Sequence, residues 1–513
     1  MASERRIRPA SALLARRARR RAAVSLAAVL ALSGGVLAGC APDAEGSVEA
    51  SPAAESTATP TETAQPVSLP DTPLGEQAAW VLGAMNAETP GLAEEIAARV
   101  SAPLLEAVPA DQLAAIFAQL RAAAPWSPTA VEDAGNQALI TLTPADGAAA
   151  AAVVGGAGAI DLQLAVDAEG LVSGLLFAPA AADREPATSW QELGDAVEGF
   201  AADTSLVVTE VTDARRAVRG VEAGLDPLPG TEQLLSAGVD ADAAKPSGSM
   251  FKLYVLGAVA DAVEAGELAW DTPLTVTDDV KSLPSGELQD VPSGTSVTVR
   301  EAAGKMIEIS DNTATDLLIA AVGADAVERQ FAEMGHHDPA QNTPLLTTRA
   351  LFQLGWGQDA EGGALRDRWR AAGGEAERRA VVDALPAGPV TVSPSAVSTP
   401  VWQEGLDWFT TPGDLVAAHV ALQEKASRAT GAPVRDILSA NPGLDTFGDA
   451  WSYVAFKGGS SVGVLAGSWY LERSDGRAFV VSIQGATDDP AALADTRTFF
   501  GQVQDAAALL ERL

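Results

Sequence analysis

The chain has 513 residues and a formal net charge of −34, with 68 acidic against 34 basic side chains. A field of that sign and size repels polyanions, which argues against nucleic acid and anionic lipid surfaces as partners. The hydrophobic fraction of 47% is ample for two cores, and a single cysteine rules out an internal disulfide.

Residues 1–39 read as a lipoprotein signal peptide, not a spanning helix. Arg16, Arg17, Arg19, Arg20 and Arg21 make a basic start, Ala22 to Ala38 an apolar run, and Leu37-Ala38-Gly39-Cys40 a lipobox. Cys40 is the expected lipidation site, giving an exported, extracytoplasmic protein held at the cell membrane by its lipid alone. General secretion and twin-arginine export both fit the arginines. No later apolar run is long enough for a convincing span. Residues 40–72, rich in Ala, Pro, Ser, Thr and Glu without apolar periodicity, are expected to be a flexible tether.

A first folded domain is expected over residues 73–180. Gly75 to Trp80 carries a helical pattern, and a second helical region, Leu92 to Ala124, is broken by Pro103 and Pro109. Strands follow at 138–143, 161–166 and 171–177, the last two joined by the hairpin signal Asp167-Ala168-Glu169-Gly170. The domain holds no His, Cys, Lys or Tyr, so acid–base work there falls to carboxylates and an accessory role is favoured. A polar connector, 181–188, leads into a second domain, 189–513. There a helix is expected over 189–202, a strand over 206–212, a helix over 249–264, strands at 452–457, 463–472 and 478–484, and a terminal helix from about residue 491.

Three short motifs in that domain carry the chemistry. Ser249-Met250-Phe251-Lys252 is the one place where a serine stands three residues before a lysine, in a chain with only six lysines. On a helix those positions share a face, so the Lys252 amine is placed by the Ser249 hydroxyl. A serine is a weak nucleophile without an adjacent base, and burial among Met250, Phe251, Leu253 and Tyr254 lowers the pKa of a lysine enough to make it one. Ser310-Asp311-Asn312 follows, and then Lys457-Gly458-Gly459-Ser460 at the end of an apolar run.

This ordered set (SxxK, then SDN, then KGG) resembles the active-site serine penicillin-recognising enzymes, and within them the class A serine β-lactamases. The resemblance implies an α/β domain with an antiparallel sheet flanked by helices. Helices followed by an antiparallel sheet in residues 73–180 resemble the α+β cone of NTF2/steroid-isomerase-like domains. The whole is similar to two-domain lipoproteins and clavulanate-cluster hydrolases. It implies Ser249 as the acylated nucleophile, Lys252 as its base, Ser310 as a proton relay and Lys457 as the cation that binds a substrate carboxylate. Asn312, Ser460 and Ser285 are implied in substrate binding, and the amides of Ser249 and Ser460 in an oxyanion hole. The implied activity is hydrolysis of β-lactam amides or related esters, with no cofactor and no metal, by a monomer acting on a small acyl substrate. A D,D-peptidase or esterase shares every one of these residues, and a binding lipoprotein without turnover is a further alternative.

The chain departs from the family between the second and third motifs. There class A enzymes carry Glu-x-x-x-Asn, whose glutamate activates the deacylating water. The nearest counterpart is Glu404, with Trp408 where the asparagine belongs, and it is read chiefly as an exposed helix-entry carboxylate. His336-His337-Asp338 is read as a surface turn before Pro339 rather than a metal site, since adjacent histidines usually point apart. His419 is read as a packed histidine.

Overall fold

A computed structural model describes residues 67–513, apart from 134, 145–158, 168, 180–183, 201, 223–227, 284, 358–359, 394–395, 445–446 and 494. The signal segment, Cys40 and most of the tether therefore lie outside the described residues. Two compact units divide between residues 182 and 183.

The N-terminal unit opens with α1 (Pro73–Asn86), where the Thr72 hydroxyl accepts from the Gly75 amide and Pro73 takes the first turn. The second helical region is three helices, α2 (Leu92–Arg99), α3 (Ala102–Ala107) and α4 (Ala110–Leu120). The prolines open helices rather than merely ending them: Pro103 lies in the first turn of α3 and Pro109 is the N-cap of α4. Four strands form an antiparallel meander, β1 (Trp126–Asp133), β2 (Gln137–Pro144), β3 (Ile160–Val166) and β4 (Val172–Pro179). Strand β1 had no clear signature, because a register shift between Pro128 and Ala130 interrupts its alternation. The expected hairpin is present, with Asp167 Oδ1 accepting from the amides of Glu169 and Leu171. Phe117 sits edge-on to both Trp80 and Phe177 in the core between helices and sheet.

The C-terminal unit is built on a five-stranded antiparallel sheet whose strands lie side by side in the order 451–461, 464–473, 478–486, 203–211 and 231–238. In chain order it runs α5 (Trp190–Glu198), β5 (Asp203–Val211), α6 (Ala214–Glu222), β6 (Thr231–Gly238), β7 (Lys245–Pro246) and α7 (Lys252–Glu264). Next come β8 (Pro273–Thr275), β9 (Ser296–Thr298), α8 (Val299–Glu308), α9 (Asn312–Val322), α10 (Ala324–Glu333), α11 (Thr348–Trp356), α12 (Ala360–Ala371) and α13 (Glu375–Val382). The chain closes with β10 (Phe409–Thr410), α14 (Pro412–Ala426), α15 (Ala432–Leu438), β11 (Trp451–Ser461), β12 (Val464–Arg473), β13 (Ala478–Ala486) and α16 (Thr496–Leu510).

Both faces of the sheet are covered, so the three inner strands β12, β13 and β5 are buried along most of their length. Phe479, Val481 and Ile483 of β13 point to a core shared with Leu193 and Val197 of α5 and Phe499 and Val503 of α16. Val480 points to the opposite core, shared with α7 and the all-helical segment. That two-residue alternation sets the sheet between two layers of helices. Helix α7 is buried on every side, from Lys252 through Ala260, as a central helix must be. Among the described residues no helix is long and apolar enough to cross a membrane.

Candidate active site

Ser249 does not lie on α7 itself. It sits in a 3-10 turn, Gly248–Phe251, that leads into α7 at Lys252. In a 3-10 turn residues i and i+3 eclipse, so the tighter winding still puts Ser249 and Lys252 on one side. Ser249 is half-buried whereas Lys252 is fully buried. The turn is pressed against β11, an edge strand of the sheet. A Cβ on Gly248 (φ 51°) would stand 2.6 Å from the Ser460 nitrogen. One on Gly459 would stand 1.9 Å from the Ser247 carbonyl oxygen and 2.9 Å from the Ser249 nitrogen. Only glycine allows that approach on either side, and it brings the amides of Ser249 and Ser460 to the two sides of one seam.

The second motif supplies the hub. Lys252 Nζ bonds the Ser310 carbonyl oxygen at 2.6 Å, Ser310 Oγ at 3.1 Å and Asn312 Oδ1 at 2.7 Å. From the other side Lys457 Nζ reaches Ser310 Oγ at 3.0 Å and the Gly458 carbonyl at 2.7 Å. A single hydroxyl is therefore held between two buried amines. Burial drives the Lys252 amine well below the usual lysine range, helped by the charge of Lys457 and opposed by Asp316 and Asp311. Burial likewise brings Lys457 down to about 7. Two ammonium ions flanking one oxygen would repel, which adds to burial in disfavouring the charged form of Lys252. Among the described residues no hydrogen bond to Ser249 Oγ is present, so its hydroxyl is unengaged beside the Gly248–Ser460 seam.

Ser310 pays for its place with backbone strain. Its φ of 57° is left-handed, a conformation a serine adopts only when its surroundings hold it. The hold comes from Lys252 and from Ser285, whose Oγ donates to the Ser310 carbonyl at 2.8 Å. Asp311 adds to it by capping α9 at the Ala314 amide and accepting from the amides of Glu287 and Leu288. Asn312 is tied on by its Nδ2 to the Leu283 carbonyl. Ser285 is exposed and thus reaches the site's rim, as does Ser460. The structure brings Ser249, Lys252, Ser310, Asn312, Lys457, Ser460 and Ser285 into one neighbourhood from four separate stretches of chain. Cys40 lies outside the described residues.

Glu404 is engaged elsewhere. It ends a 3-10 turn, Trp402–Glu404, and its carboxylate is held in a fork by Arg370 of α12, at 2.8 and 2.6 Å. Helices α12 and α13 lie between the second and third motifs, and an arginine of α12 takes the carboxylate. Trp408, in place of the family's asparagine, stacks on Phe251 with centroids 3.7 Å apart and planes 7° from parallel. Glu404→Gln is expected to leave the decay of any acyl-enzyme within about three-fold of the parent, as for a surface pair. A stopped-flow decay slowed by more than about ten-fold would make it the water-activating base after all.

The histidine pair differs from expectation. His336 is buried, not at the surface, and the two rings stack at 5.2 Å instead of pointing apart. With Asp414 they form a cluster whose candidate ligand atoms lie within 4.8 Å of one another. Those atoms are already used. His336 Nδ1 accepts from the Asp338 amide, leaving Nε2–H to donate to the Phe409 carbonyl at 2.8 Å. Asp414 accepts from the amides of His337 and Thr411 and from His337 Nδ1. The cluster is a hydrogen-bonded cap on α14. His419 is packed as expected, against Ser468, and burial lowers it to about 4, so it stays neutral.

Sequence reading missed Asp407. It is buried beneath the nucleophile's turn, where Oδ1 accepts from the Gly248 and Trp408 amides at 2.8 Å each and Oδ2 from Ser461 Oγ at 2.7 Å. Its one signal in the sequence is an acid between the apolar Leu406 and Trp408.

The chain is similar to known proteins over both units. Residues 228–508 match the model of a family described as β-lactamase enzymes, and residues 69–172 match the N-terminal domain of the ORF 12 gene product. No curated protein matches the chain. Solved structures with a similar chain include PBP-A, at 19% identity, TM-score 0.41, 65% of this chain and 100% of that one. A β-lactamase from Sphaerobacter thermophilus aligns at 21% identity and TM-score 0.41, over 63% of this chain and 98% of that one. The family model spans more than half of the sequence and includes all three motifs, so the chain belongs to the β-lactamase enzyme family.

Proposed function

We propose that the protein is a lipid-anchored serine hydrolase that forms an acyl-enzyme on Ser249 with β-lactam amides or related esters. The observation that carries this reading is the Ser310 hydroxyl suspended between Lys252 and Lys457 next to the glycine-lined seam. Ser249 Oγ attacks the carbonyl carbon while neutral Lys252 takes its proton. The resulting oxyanion is met by the amides of Ser249 and Ser460, whose loss individually costs about 10²–10³ in rate in comparable sites. Ser310 passes a proton to the departing amine, and the amine of Lys457 or Lys252 restores it. Lys457, when charged, receives the substrate carboxylate, with Ser285 and Ser460 at the rim.

Release of the acyl group is the weak step. The acids around the site are committed: Glu404 to Arg370, Asp407 to Gly248, Trp408 and Ser461, and Asp311 to the 286–288 loop and α9. Slow turnover of β-lactams follows, and an ester substrate is the second reading, because an ester needs less help to react. The lipid anchor at Cys40 rests on the basic, apolar and lipobox segments in sequence. Intact-protein mass spectrometry after a fluorescent penicillin tests the reading, with Ser249→Ala alongside. An adduct on the parent that is missing from the variant is expected. An adduct on both would end the assignment of Ser249, and an adduct on neither at millimolar penicillin would remove β-lactams as substrates and leave the ester reading or a binding protein without turnover.

A further inference from the structure

The carboxylate of Asp407 occupies a position with an unusual symmetry. One of its oxygens holds the amide of Gly248, the residue just before the nucleophile, and the other holds the hydroxyl of Ser461, the residue just after Ser460. These are the outer neighbours of the two amides that face the seam. The adjacent residue reinforces the grip. The Trp408 carbonyl accepts from both the amide and the hydroxyl of Ser247, at 2.7 and 2.9 Å, and its ring lies on Phe251. The rest of the seam is glycine backbone and an edge strand. Gly248, Gly458 and Gly459 have no side chains to lock their conformation, and β11 is an edge strand whose free side is this turn.

We propose that Asp407 is the positioning residue for the oxyanion site: it fixes the spacing between the Ser249 and Ser460 amides by tying their flanking residues to one rigid, buried group. The proposal rests on the serine-hydrolase reading above. Asp407 touches no substrate; both of its oxygens are spent and it is 3% exposed. Its effect belongs to the transition state, because the two amides converge on an oxygen only once that oxygen carries charge. A carboxylate suits the task better than a hydroxyl because it accepts from two directions at once, and charge-assisted bonds are shorter and stiffer than neutral ones. The segment in which the family carries its water-activating glutamate here carries the strut for the oxyanion site.

The test uses phenylboronic acid, which adds to a serine hydroxyl as a tetrahedral anion and so reports on the transition-state geometry without requiring penicillin to be the substrate. Asp407→Ala is expected to weaken its affinity about 100-fold, in line with the loss of oxyanion donors. Asp407→Asn keeps an acceptor for Gly248 and offers a donor to the Ser461 oxygen, so it should recover to within about ten-fold of the parent. Non-covalent penicillin binding, read in the Ser249→Ala background, should change by less than about three-fold in each case. Should Asp407→Ala not fold, Ser461→Ala cuts one arm of the strut and should weaken the boronate about ten-fold. Boronate affinity unchanged in the folded variants, or an asparagine variant no better than alanine, overturns the strut while leaving Ser249 as the nucleophile. A parent protein that takes no boronate overturns both.

Discussion

Lys252→Met is expected to slow acylation of Ser249 by about 10³-fold, the scale of a general base that is also the sole activator of its nucleophile. The amine lies fully buried and meets only oxygens of Ser310 and Asn312. Burial lowers its pKa well below the usual lysine range and so favours the neutral amine, the form a base needs. Methionine fills the same space without that lone pair. Lys252→Arg separates a base from a mere cation, because a guanidinium does not give up its proton in proteins. Arginine should be no better than methionine. The measurement is the second-order rate of adduct formation with fluorescent penicillin, and substantial recovery with arginine would assign Lys252 an electrostatic role only.

Lys457→Met is expected to do two opposite things. It removes recognition of a substrate carboxylate, and it stabilises the fold at neutral and mildly acidic pH. The sign follows from the depression of this amine from 10.5 to about 7. Between those values the unfolded chain holds a proton that the folded chain has released, so stability rises with pH across that window. Below about 7 the whole cost is present, about 1.4 kcal/mol for each unit of depression, or a few kcal/mol in all. Methionine escapes that cost, less whatever the lost bonds to Ser310 and Gly458 contribute. A urea midpoint raised at pH 6 and nearly unchanged at pH 10 is the expected signature. Lys252 contributes a slope of the same sign, so the pH dependence is reduced, not abolished. In the parent, kcat/KM for a carboxylate-bearing β-lactam should fall as pH rises through 7, while an uncharged ester shows no such limb. Equal profiles for the two substrates would remove Lys457 from substrate binding.

The candidate site was legible in the sequence because its motifs are short local patterns. The SxxK motif needs one turn of helix, and the other two motifs need only a helix start and a strand end. Strands β11, β12 and β13 were legible for the same reason, though β11 runs on through Ser461 and so carries Gly458 to Ser460 within the sheet. What could not be read depends on distant partners. Asp407 gains its meaning from Gly248, 159 residues away, and from Ser461, 54 residues away. Glu404 looked free until Arg370, from a helix with no counterpart in the motif pattern, closed on it. His336 read as a surface residue because nothing local announces that Tyr254 and Phe331 pack against its ring. Strand β6, with the exposed Glu232 and Gln233 near its start, has too little apolar alternation to be distinguished from a loop.

The burial of α7 on every side has a consequence for how this molecule breathes. Local openings arise where few apolar contacts hold a segment, and a helix enclosed by the core can expose its amides only when the whole unit opens. The base rides on that helix and the nucleophile on the turn that leads into it, so neither can drift in a frayed or partly loosened state. Reactivity and foldedness are therefore gained and lost together. A chain damaged by heat or by proteolysis does not linger as a half-formed species; it holds Ser249 and Lys252 in place together or holds neither.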